Sequence, residues 1–579
     1  MANITGTPGP DLLTGTSEND TILGLGLFDR IIGSTGSDII DGGDGFDTVD
    51  YGNLGVTVAN APDGSQVVTK SDGGIDKLIG IERIVNPTGT EGADVLRTEN
   101  VDFNTLQGGN DLVKALGGND RIIGSTGTDT IDGGTGYDTL DFTGTTLSSV
   151  TTPNSLGPLG PIYLSTDGDL VTNQTNPRAM PYPGALINSR LTSVEKVVGD
   201  PTQSNTIYQF PSVANTTNRM ELDLSKNQLT AYDSSNNSRI VKFQNFDNVQ
   251  IQSGSSRIVG NDRDNIITNI DGLRGPGISD DLIIGSKGND TLNGGSGKNI
   301  VDYSNLGRAV KFSTNYQIVT TEPRFPGDTI FRNITAKATI DKGSFGKDTI
   351  VNFPKIIGAT SKNNTVDTTT DIDGASVNLN LATNSLTVNI PQGDTSFAIA
   401  DKYEVINFVN AIGTKGNDTI VGANLSGKLT GGGGNDTITG GNQNDTISGS
   451  DSTARGVGEV DTLTGGSGRD NFILGNKNGA YYVGNGSNDY ATITDFDLFE
   501  DSISIGKLKN YSFSLEDTNT IDLFSGKDVN TRDLIAKIQI AGGISSVASN
   551  SRSVAGSNPN LDAIISKLDI LSGSASSDA

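Results

Sequence analysis

The 579-residue chain contains no cysteine, no histidine and no tryptophan. Without cysteine there is no disulfide, no thiolate nucleophile and no Cys-ligated zinc site. Without histidine there is no Ser-His-Asp triad, no HExxH metalloprotease helix and no His-ligated metal or haem. The composition alone therefore excludes hydrolases with a Ser-His-Asp triad and enzymes with a His- or Cys-ligated zinc.

Basic residues are also scarce, with 41 Lys and Arg against 68 Asp and Glu, which gives a formal charge of −27. Phosphate neutralisation needs a basic face, so nucleic acid is not an expected partner. No run of about 18 apolar residues is present, so we expect no transmembrane segment. Residues 1–15 lack the basic and apolar regions of a classical signal peptide.

Glycine and aspartate dominate what is present. The chain has 76 Gly, and only 11 of its 68 acidic residues are Glu. A short carboxylate is favoured in tight turns and in compact metal sites, whereas a merely solubilising surface would use both acids. Frequent Thr, Val and Ile favour short strands between such turns.

Aspartate recurs every nine residues in several blocks, with an apolar residue one or two positions after it. Three segments of these blocks, 33–51, 124–142 and 285–303, are near copies of one another. The regularly placed aspartates are Asp11, Asp20, Asp29, Asp38, Asp47, Asp111, Asp120, Asp129, Asp138, Asp281, Asp290, Asp418, Asp436, Asp445, Asp461 and Asp470.

These units resemble the RTX nonapeptide GGxGxDxUx, in which U is apolar and which is a calcium-binding β-helix repeat. The resemblance implies an all-β fold, an elongated parallel β-roll or β-solenoid. Six residues of each unit turn, three form a short strand, and two units make one coil of 18 residues. We expect a short helix near the C-terminus in addition.

The resemblance also implies Ca²⁺ between turns stacked on one edge, with the aspartates above as ligands. Stacked turns belong to alternate units, so Asp11, Asp29 and Asp47 should share one edge, and Asp20 and Asp38 the other. Asp120 and Asp138 should likewise share an edge, opposite Asp111 and Asp129. A hard cation that prefers 6–8 oxygens fits this inventory. Backbone carbonyls would complete the shells, those of Gly33, Gly42, Gly124, Gly133, Gly285 and Gly431. The alternative is that each aspartate only hydrogen-bonds its own turn.

The apolar residues after each aspartate are predicted to point inward as a thin core. In the first block these are Leu12, Ile22, Ile31, Ile39 and Val49. The acids at the ninth position, Asp41, Asp50, Asp132 and Asp141, are predicted to face solvent rather than metal.

Some units depart from the repeat. Asn299 stands where Asp is expected, which puts the site at 294–302 in doubt, and Gly427 removes a side-chain ligand from 422–430. The 16 residues from Asp445 to Asp461 predict a seven-residue insertion near 451–458 that bulges from the roll.

Longer spacers separate the repeats and have an alternating pattern typical of strands. We interpret them as wider coils of the same solenoid, with the Pro-rich segment 153–183 as an ordered surface loop or a flexible linker. The expected organisation is RTX blocks at 1–50, 98–141, 260–303 and 411–474, spacers at 51–97, 142–259 and 304–410, a C-terminal cap at 475–545 and a tail at 546–579.

The C-terminal region resembles the end of other RTX proteins. Ile493, Phe496, Ile503 and Ile505 are predicted to close the core of the cap. Asn558-Pro559 predicts the start of a helix. With the small, hydroxylated tail, this helix is similar to an uncleaved type I secretion signal, and the alternative is a docking helix.

The chain as a whole resembles RTX-bearing surface-layer and oscillin-like fibril proteins of cyanobacteria. We therefore expect a secreted calcium-binding structural protein that folds on extracellular Ca²⁺. It would assemble with itself into a cell-surface layer, sheath or fibril. The resemblance to this family also suggests a link to gliding motility. Cell-surface polysaccharide is a second candidate partner. The repeats begin at Gly6 and the spacers lack His and Cys, so we expect no enzymatic activity. The alternatives are a calcium-dependent adhesin and a polysaccharide-active enzyme on a β-solenoid.

Overall fold

A computed structural model of the chain describes most of its repeat and spacer segments. The described residues are 1–51, 54, 56–85, 95–97, 112–115, 118–123, 130–142, 163–165, 170–172, 188–192, 194–199, 201, 205–208, 220–232, 238–251, 255–269, 280–320, 332–391, 399–506, 511–526, 528 and 530–543. Two compact units divide the chain, Met1–Asp281 and Leu282–Ala579.

The fold is all-β, which confirms the predicted class. Within the described residues there is no α-helix, and the one helical turn is a 3-10 turn at Gly343–Phe345. Most strands in the repeats are three residues long, because each nine-residue unit spends its other residues on a glycine-containing turn.

The first unit begins with strands that follow the nine-residue period closely. They are β1 Asn3–Thr5, β2 Leu12–Thr14, β3 Thr21–Leu23, β4 Gly26–Leu27, β5 Arg30–Ile32, β6 Ile39–Asp41, β7 Asp44–Gly45, β8 Thr48–Asp50, β9 Val56–Asn60, β10 Gln66–Lys70, β11 Ile75–Ile79 and β12 Arg83–Val85.

The rest of the first unit alternates short and longer strands. They are β13 Val95–Arg97, β14 Leu112–Lys114, β15 Arg121–Ile123, β16 Thr130–Asp132, β17 Thr139–Asp141, β18 Tyr163–Ser165, β19 Leu170–Thr172, β20 Asn188–Thr192, β21 Lys196–Val198, β22 Asn205–Tyr208, β23 Met220–Asp223, β24 Gln228–Tyr232, β25 Ser238–Gln244, β26 Phe246–Ile251, β27 Ser256–Val259 and β28 Ile266–Asn269.

The second unit contains the longest strands. They are β29 Leu282–Ile284, β30 Thr291–Asn293, β31 Ile300–Asp302, β32 Lys311–Thr320, β33 Arg332–Asp341, β34 Lys347–Val351, β35 Lys355–Ile357, β36 Asn364–Asp367, β37 Ser376–Asn380, β38 Ser385–Ile390, β39 Ile399–Ile406, β40 Phe408–Ile412, β41 Thr419–Val421, β42 Lys428–Gly432, β43 Thr437–Thr439, β44 Thr446–Ser450, β45 Val460–Thr464, β46 Asn471–Ile473, β47 Gly475–Asn476, β48 Gly479–Ala480, β49 Tyr490–Phe496, β50 Ser502–Ser504, β51 Tyr511–Leu515, β52 Thr520–Ser525 and β53 Asp533–Ile540.

Alternate strands pair in parallel, which is the topology of a two-sheet roll. In the first block β1 pairs with β3 and β3 with β6, while β2 pairs with β5 and β5 with β8. In the second unit β41 pairs with β43 and β43 with β45, while β42 pairs with β44 and β44 with β46. Each coil therefore places one strand in each sheet.

The spacers are antiparallel excursions within these sheets rather than simply wider coils. Between β6 and the next coil, β9, β10 and β11 pair antiparallel, and β11 then pairs in parallel with β6. The ten-residue strands β32 and β33 repeat the plan, and β34 returns to pair in parallel with β30. The repeat is thus interrupted without losing the parallel stack.

The core is a column of single apolar residues from each strand. Leu13, Ile22, Ile31, Ile40 and Val49 are buried along the first block. The prediction was wrong for two residues, because Leu12 is 68% exposed and Ile39 is 47% exposed. Side chains alternate along a strand, so the residue next to the aspartate faces out and the following one faces in.

The predicted core of the cap is confirmed, since Ile493, Phe496, Ile503 and Ile505 are all buried. The predicted C-terminal helix and the tail lie outside the described residues, as does most of the Pro-rich segment, of which β18 and β19 are described. No helix in the described part of the chain is long and apolar enough to cross a membrane.

Candidate metal centre

Aspartates one coil apart are joined by hydrogen bonds. The N–H of Asp11 donates to Oδ1 of Asp29 at 2.8 Å, and that of Asp29 donates to Oδ1 of Asp47 at 2.8 Å. In the other stack, the N–H of Asp20 donates to Oδ1 of Asp38 at 2.8 Å. The predicted stacking of alternate units is therefore confirmed, and one carboxylate oxygen of each acceptor is committed to this ladder.

The same bond joins other predicted site residues. It links Asp120 to Asp138 at 2.9 Å, Asp418 to Asp436 at 2.8 Å, Asp436 to Asp461 at 2.8 Å and Asp445 to Asp470 at 2.7 Å. Asp461 therefore keeps its place in the ladder despite the insertion at 451–458. Asp111, Asp129 and Gly124 lie outside the described residues.

Acidic residues outside the nine-residue period continue the ladders past the spacers. The acceptors are Asp76 for the N–H of Asp38, Glu82 for Asp47, Glu195 for Asp138, Asp348 for Asp290 and Asp501 for Asp470. The repeat pattern missed them because they lie outside its nine-residue register. Asp76 and Asp348 lie in β11 and β34, the returning strands of hairpins, whereas Glu82, Glu195 and Asp501 precede the parallel strands β12, β21 and β50. A weaker signal was present, since Asp76-Lys77-Leu78 keeps the order of acid, polar and apolar residue.

The second carboxylate oxygen divides the turns into two classes. We define closed turns as those whose aspartate Oδ2 accepts a hydrogen bond from the second residue of the unit. In the closed turn 15–20, the N–H and the hydroxyl of Thr16 both lie 2.7 Å from Oδ2 of Asp20. In the closed turn 413–418, the N–H of Thr414 lies 2.6 Å from Oδ2 of Asp418.

We define open turns as those in which Oδ2 is buried without a hydrogen-bond partner among the described residues. Their aspartates are Asp29, Asp47, Asp138, Asp436 and Asp470. A buried carboxylate oxygen without a donor is costly, and native structures almost always satisfy such an atom by a protein group, water or ion. The open turns are therefore the places where a cation is most needed.

The backbone of the second residue separates the classes. In the open turns this residue has positive φ, as for Leu25 at 82°, Gly43 at 89° and Gly432 at 116°. This conformation leaves Oδ2 without the N–H contact that closed turns have. In the closed turn 440–445, by contrast, the N–H of Gly441 donates to Oδ2 of Asp445 at 2.6 Å.

Glycine at the first position lines a small oxygen-rich cradle. A methyl group built on Gly24 would lie 2.4 Å from Oδ2 of Asp29 and 2.4 Å from the carbonyl oxygen of Gly42. On Gly431 it would lie 2.0 Å from Oδ2 of Asp436. Carboxylate and carbonyl oxygens thus face one space that only glycine leaves free. Oxygen ligands of these two kinds are what Ca²⁺ uses.

The electrostatics of the open turns favour a cation. Burial raises the pKa of Asp470 to about 6 and that of Asp436 to about 9. In a closed turn, hydrogen bonding from the Thr16 side chain is the main cause that lowers the pKa of Asp20. Burial also raises the pKa of Asp418 to about 6, so closure does not always offset desolvation.

At three other predicted site positions a tyrosine side chain lies in the turn. The rings of Tyr51 and Tyr303 pack against Gly33 and Gly285, where an added methyl group would collide with them. The hydroxyl of Tyr482 donates to Oδ2 of Asp461 at 2.5 Å.

The remaining aspartates of the repeat are also engaged by side chains. Oδ2 of Asp281 accepts from the amide of Asn269 at 2.7 Å. Asp38 and Asp290 face the ammonium groups of Lys70 and Lys342.

Two degenerate units behave as their residues suggest. The amide of Asn299 donates to the carbonyl oxygens of Gly295 at 3.3 Å and Asn352 at 3.2 Å, so it fills a turn that lacks the carboxylate. The N–H of Gly427 still donates to Oδ1 of Asp445 at 2.7 Å, but no side chain is available there.

The ninth-position acids have two kinds of partner. Asp41 and Asp132 accept hydrogen bonds at 3.1 Å from the N–H groups of Gly43 and Gly134 in the following open turns, whereas the other two acids pair with arginines. Arg30 pairs with Asp50, and Arg121 pairs with Asp141 at 2.6 Å. Asp141 is 7% exposed, so the prediction that it faces solvent was wrong. The stack of strands brings an arginine beside each of these two acids and covers it.

Within the described ranges, no three acidic side chains converge as a ready-made metal cluster. The ladder explains this, since each site offers one carboxylate oxygen of an aspartate and neighbouring backbone carbonyls. The oxygen ligands present therefore fit a hard cation that is bound largely by backbone carbonyls of the turns.

Comparison with known proteins supports this assignment. The RTX calcium-binding nonapeptide repeat (4 copies) matches residues 5–26, 23–53, 107–140, 277–305 and 427–452. No curated protein matches the chain. Among solved structures, the extracellular lipase LipA from Serratia marcescens aligns at 14% identity with a TM-score of 0.16, over 52% of this chain and 42% of the lipase. A TM-score this low does not establish a shared fold, and the chain spans less than half of the length of that lipase. The repeats nevertheless place the chain among the proteins that carry RTX calcium-binding nonapeptide repeats.

Proposed function

We propose that this protein is a secreted calcium-binding structural protein whose open turns bind Ca²⁺. The observation that carries the proposal is the buried Oδ2 of Asp29, Asp47, Asp138, Asp436 and Asp470, which has no donor in the described residues. A bound Ca²⁺ would neutralise these carboxylates. The carbonyls of Gly42 and Gly449 are the best-placed additional ligands, because they lie beside the open-turn aspartates Asp29 and Asp436 of the neighbouring coils. The carbonyl of Gly431, a predicted ligand, lies beside the closed turn of Asp418.

Folding would then depend on where the chain meets calcium. Stacked carboxylates repel one another in a calcium-poor cytosol, and burial makes their ionised forms costly at neutral pH. Where calcium is at millimolar concentration, its binding free energy becomes folding free energy. RTX-repeat proteins typically leave the cell by type I secretion, which supports an extracellular location for this chain.

We further propose that the folded protein assembles with itself into a cell-surface layer, sheath or fibril. Repeats and spacers supply paired strands from β1 to β53, with the parallel roll as the recurring motif in each unit. The chain has no histidine and no cysteine, and the role that we propose is structural rather than enzymatic.

Calcium binding is tested by counting bound Ca²⁺ in matched variants of one ladder. Asp436 lies in an open turn, and Asp418 lies in the adjacent closed turn of the same ladder. We expect Asp436→Asn to lose about one Ca²⁺ per chain in equilibrium dialysis and Asp418→Asn to lose none. Equal losses would contradict the role of turn class, and a wild-type protein that binds no calcium would overturn the function.

Assembly is tested separately on the full chain at millimolar calcium. Negative-stain electron microscopy and sedimentation should show ordered assemblies that disperse on addition of chelator. A stable monomer at high calcium and high protein concentration would contradict the structural role while leaving calcium binding intact.

A further inference from the structure

Two lysine side chains are buried inside turns of the roll. Lys70 ends β10 and Lys342 directly follows β33, and both side chains are fully inaccessible to solvent. A buried ammonium is retained only with good partners, because its desolvation is costly. Both therefore need a structural reason.

The ammonium of Lys70 is held by oxygens of the first repeat block. Nζ lies 2.6 Å from the carbonyl oxygen of Ser34, 2.6 Å from Oδ1 of Asp76 and 3.5 Å from Oδ2 of Asp38. These three acceptors match the three N–H donors of an ammonium group. The hydroxyl of Tyr51 donates to the other oxygen of Asp76 at 2.7 Å.

The same arrangement recurs in the second unit. Nζ of Lys342 lies 2.8 Å from the carbonyl oxygen of Ser286 and 3.3 Å from Oδ2 of Asp290, and it also contacts Oδ1 of Asp348. The hydroxyl of Tyr303 donates to Oδ2 of Asp348 at 2.5 Å. Each of the two units thus contains its own five-residue cluster, and corresponding residues have the same roles in both.

Each ammonium contacts the carboxylate atom that also lines the open turns, the Oδ2 of the turn aspartate. Its backbone acceptor is the carbonyl of the unit's second residue, Ser34 or Ser286, whereas the open turn of Asp29 presents the carbonyl of the first-position Gly42. The acceptors are Oδ2 of the turn aspartate and a backbone carbonyl of the turn, together with the carboxylate that continues the ladder. In the open turns, Oδ2 of Asp436 and Oδ2 of Asp470 lack any such donor in the described residues. The ammonium therefore contacts the carboxylate oxygen that an open turn leaves for a cation.

We infer that Lys70 and Lys342 are internal cations that replace calcium in their coils. These two coils then fold without calcium and give the calcium-dependent coils beside them a preformed sheet edge on which to stack. The inference rests on the proposed function of the open turns as calcium sites. It assigns the lysine ammonium, instead of calcium, to the closed turns of Asp38 and Asp290. Asp38 and Asp290 would accordingly serve as lysine partners rather than calcium ligands.

Hydrogen exchange of the wild-type full chain tests this directly. In chelator, amides of β30 and β34 beside Lys342 should exchange at least about tenfold more slowly than those of β43 and β46, which follow open turns. With calcium added, β43 and β46 should become protected, while β30 and β34 should change little. The pair β6 and β11 beside Lys70 should behave like β30 and β34.

The possible failures are distinguishable. If β43 and β46 are equally protected with and without calcium, the proposed calcium function is overturned, and this inference with it. If β43 and β46 depend on calcium but β30 and β34 lose protection together with them, only the internal-cation inference is overturned.

A variant pair supplies a second measurement. Lys342→Ala should bring the exchange of β30 and β34 in chelator to the rate of β43, whereas Lys347→Ala, which removes a neighbouring exposed ammonium, should not. Protection of β30 and β34 that survives Lys342→Ala in chelator would overturn the inference. The wild-type comparison stands alone if the variant fails to fold.

Discussion

The turns of the first repeat block are built from the same nine-residue unit and differ in their electrostatics. Turns 24–29 and 42–47 hold buried carboxylate oxygens that have no donor among the described residues. Turn 6–11 of the same stack is closed by Thr7, and turns 15–20 and 33–38 of the other stack are satisfied by Thr16, Ser34 and Lys70. A repeat can therefore keep one geometry and still need a metal in some coils and none in others. What differs is the source of the positive charge or donor beside the aspartate.

The largest expected effect on stability comes from ionising the aspartates of the open turns in the absence of calcium. Burial raises the pKa of Asp47 and Asp470 to about 6 and that of Asp436 to about 9, from the 3.8 of an exposed aspartate. The folded state binds more protons than the unfolded state between these values, so its stability falls as pH rises. In chelator, the β signal in circular dichroism should be strongest near pH 4 and fall through pH 6 towards pH 9.

In millimolar calcium the same titration should be nearly flat from pH 6 to pH 8, because the bound cation holds the carboxylates ionised. A calcium-free protein that gains β structure as pH rises would contradict the assignment of the open turns.

Removing a buried ammonium should have the next largest effect. Lys342→Met leaves the carboxylates of Asp290 and Asp348 without their cation, and breaking a buried ion pair in this way costs about 3–5 kcal/mol of unfolding free energy. Urea denaturation in calcium measures the loss. Lys347→Met is the matched control and should change stability by no more than about 0.5 kcal/mol.

Loss of the tyrosine hydroxyl should have an intermediate effect. Tyr303→Phe removes the hydrogen bond to Oδ2 of Asp348 and keeps the ring that packs on Gly285. Hydrogen bonds to charged groups contribute about 1.5–3 kcal/mol, so the unfolding free energy should fall by that amount. Tyr137→Phe, at an exposed tyrosine, is the control. Equal stability of Tyr303→Phe and wild type would exclude a role for the hydroxyl.

The smallest effect on stability is expected from removing one of the two hydrogen bonds that close a turn. Thr16→Val removes the hydroxyl that lies 2.7 Å from Oδ2 of Asp20 and keeps the N–H bond to the same oxygen. The cost should be about 1 kcal/mol in thermal or urea unfolding. A much larger loss would mean that the hydroxyl, rather than the backbone, holds the closed state.

Much of this arrangement followed from the order of the residues. The nine-residue period predicted the parallel pairing of alternate strands and the ladder from Asp11 through Asp29 to Asp47. It did not predict the antiparallel hairpin of β32 and β33, because alternating polar and apolar residues suit a parallel coil and a hairpin equally. The inward residue was misplaced at Leu12 and Ile39 by one position along the strand.

By itself, the sequence determined where turns and strands alternate, because glycine and aspartate at fixed spacing leave few other backbone paths. Only the tertiary structure decided which turns are open. Leu25 adopts positive φ in an open turn, while Gly441 donates its N–H in a closed one, so residue type does not settle the class.

The same is true of the internal cations. Lys70 lies 32 residues from Asp38, and Lys342 lies 52 residues from Asp290. Each hairpin folds back on its sheet and carries the ammonium into the turn, and that placement depends on packing across coils rather than on any local pattern.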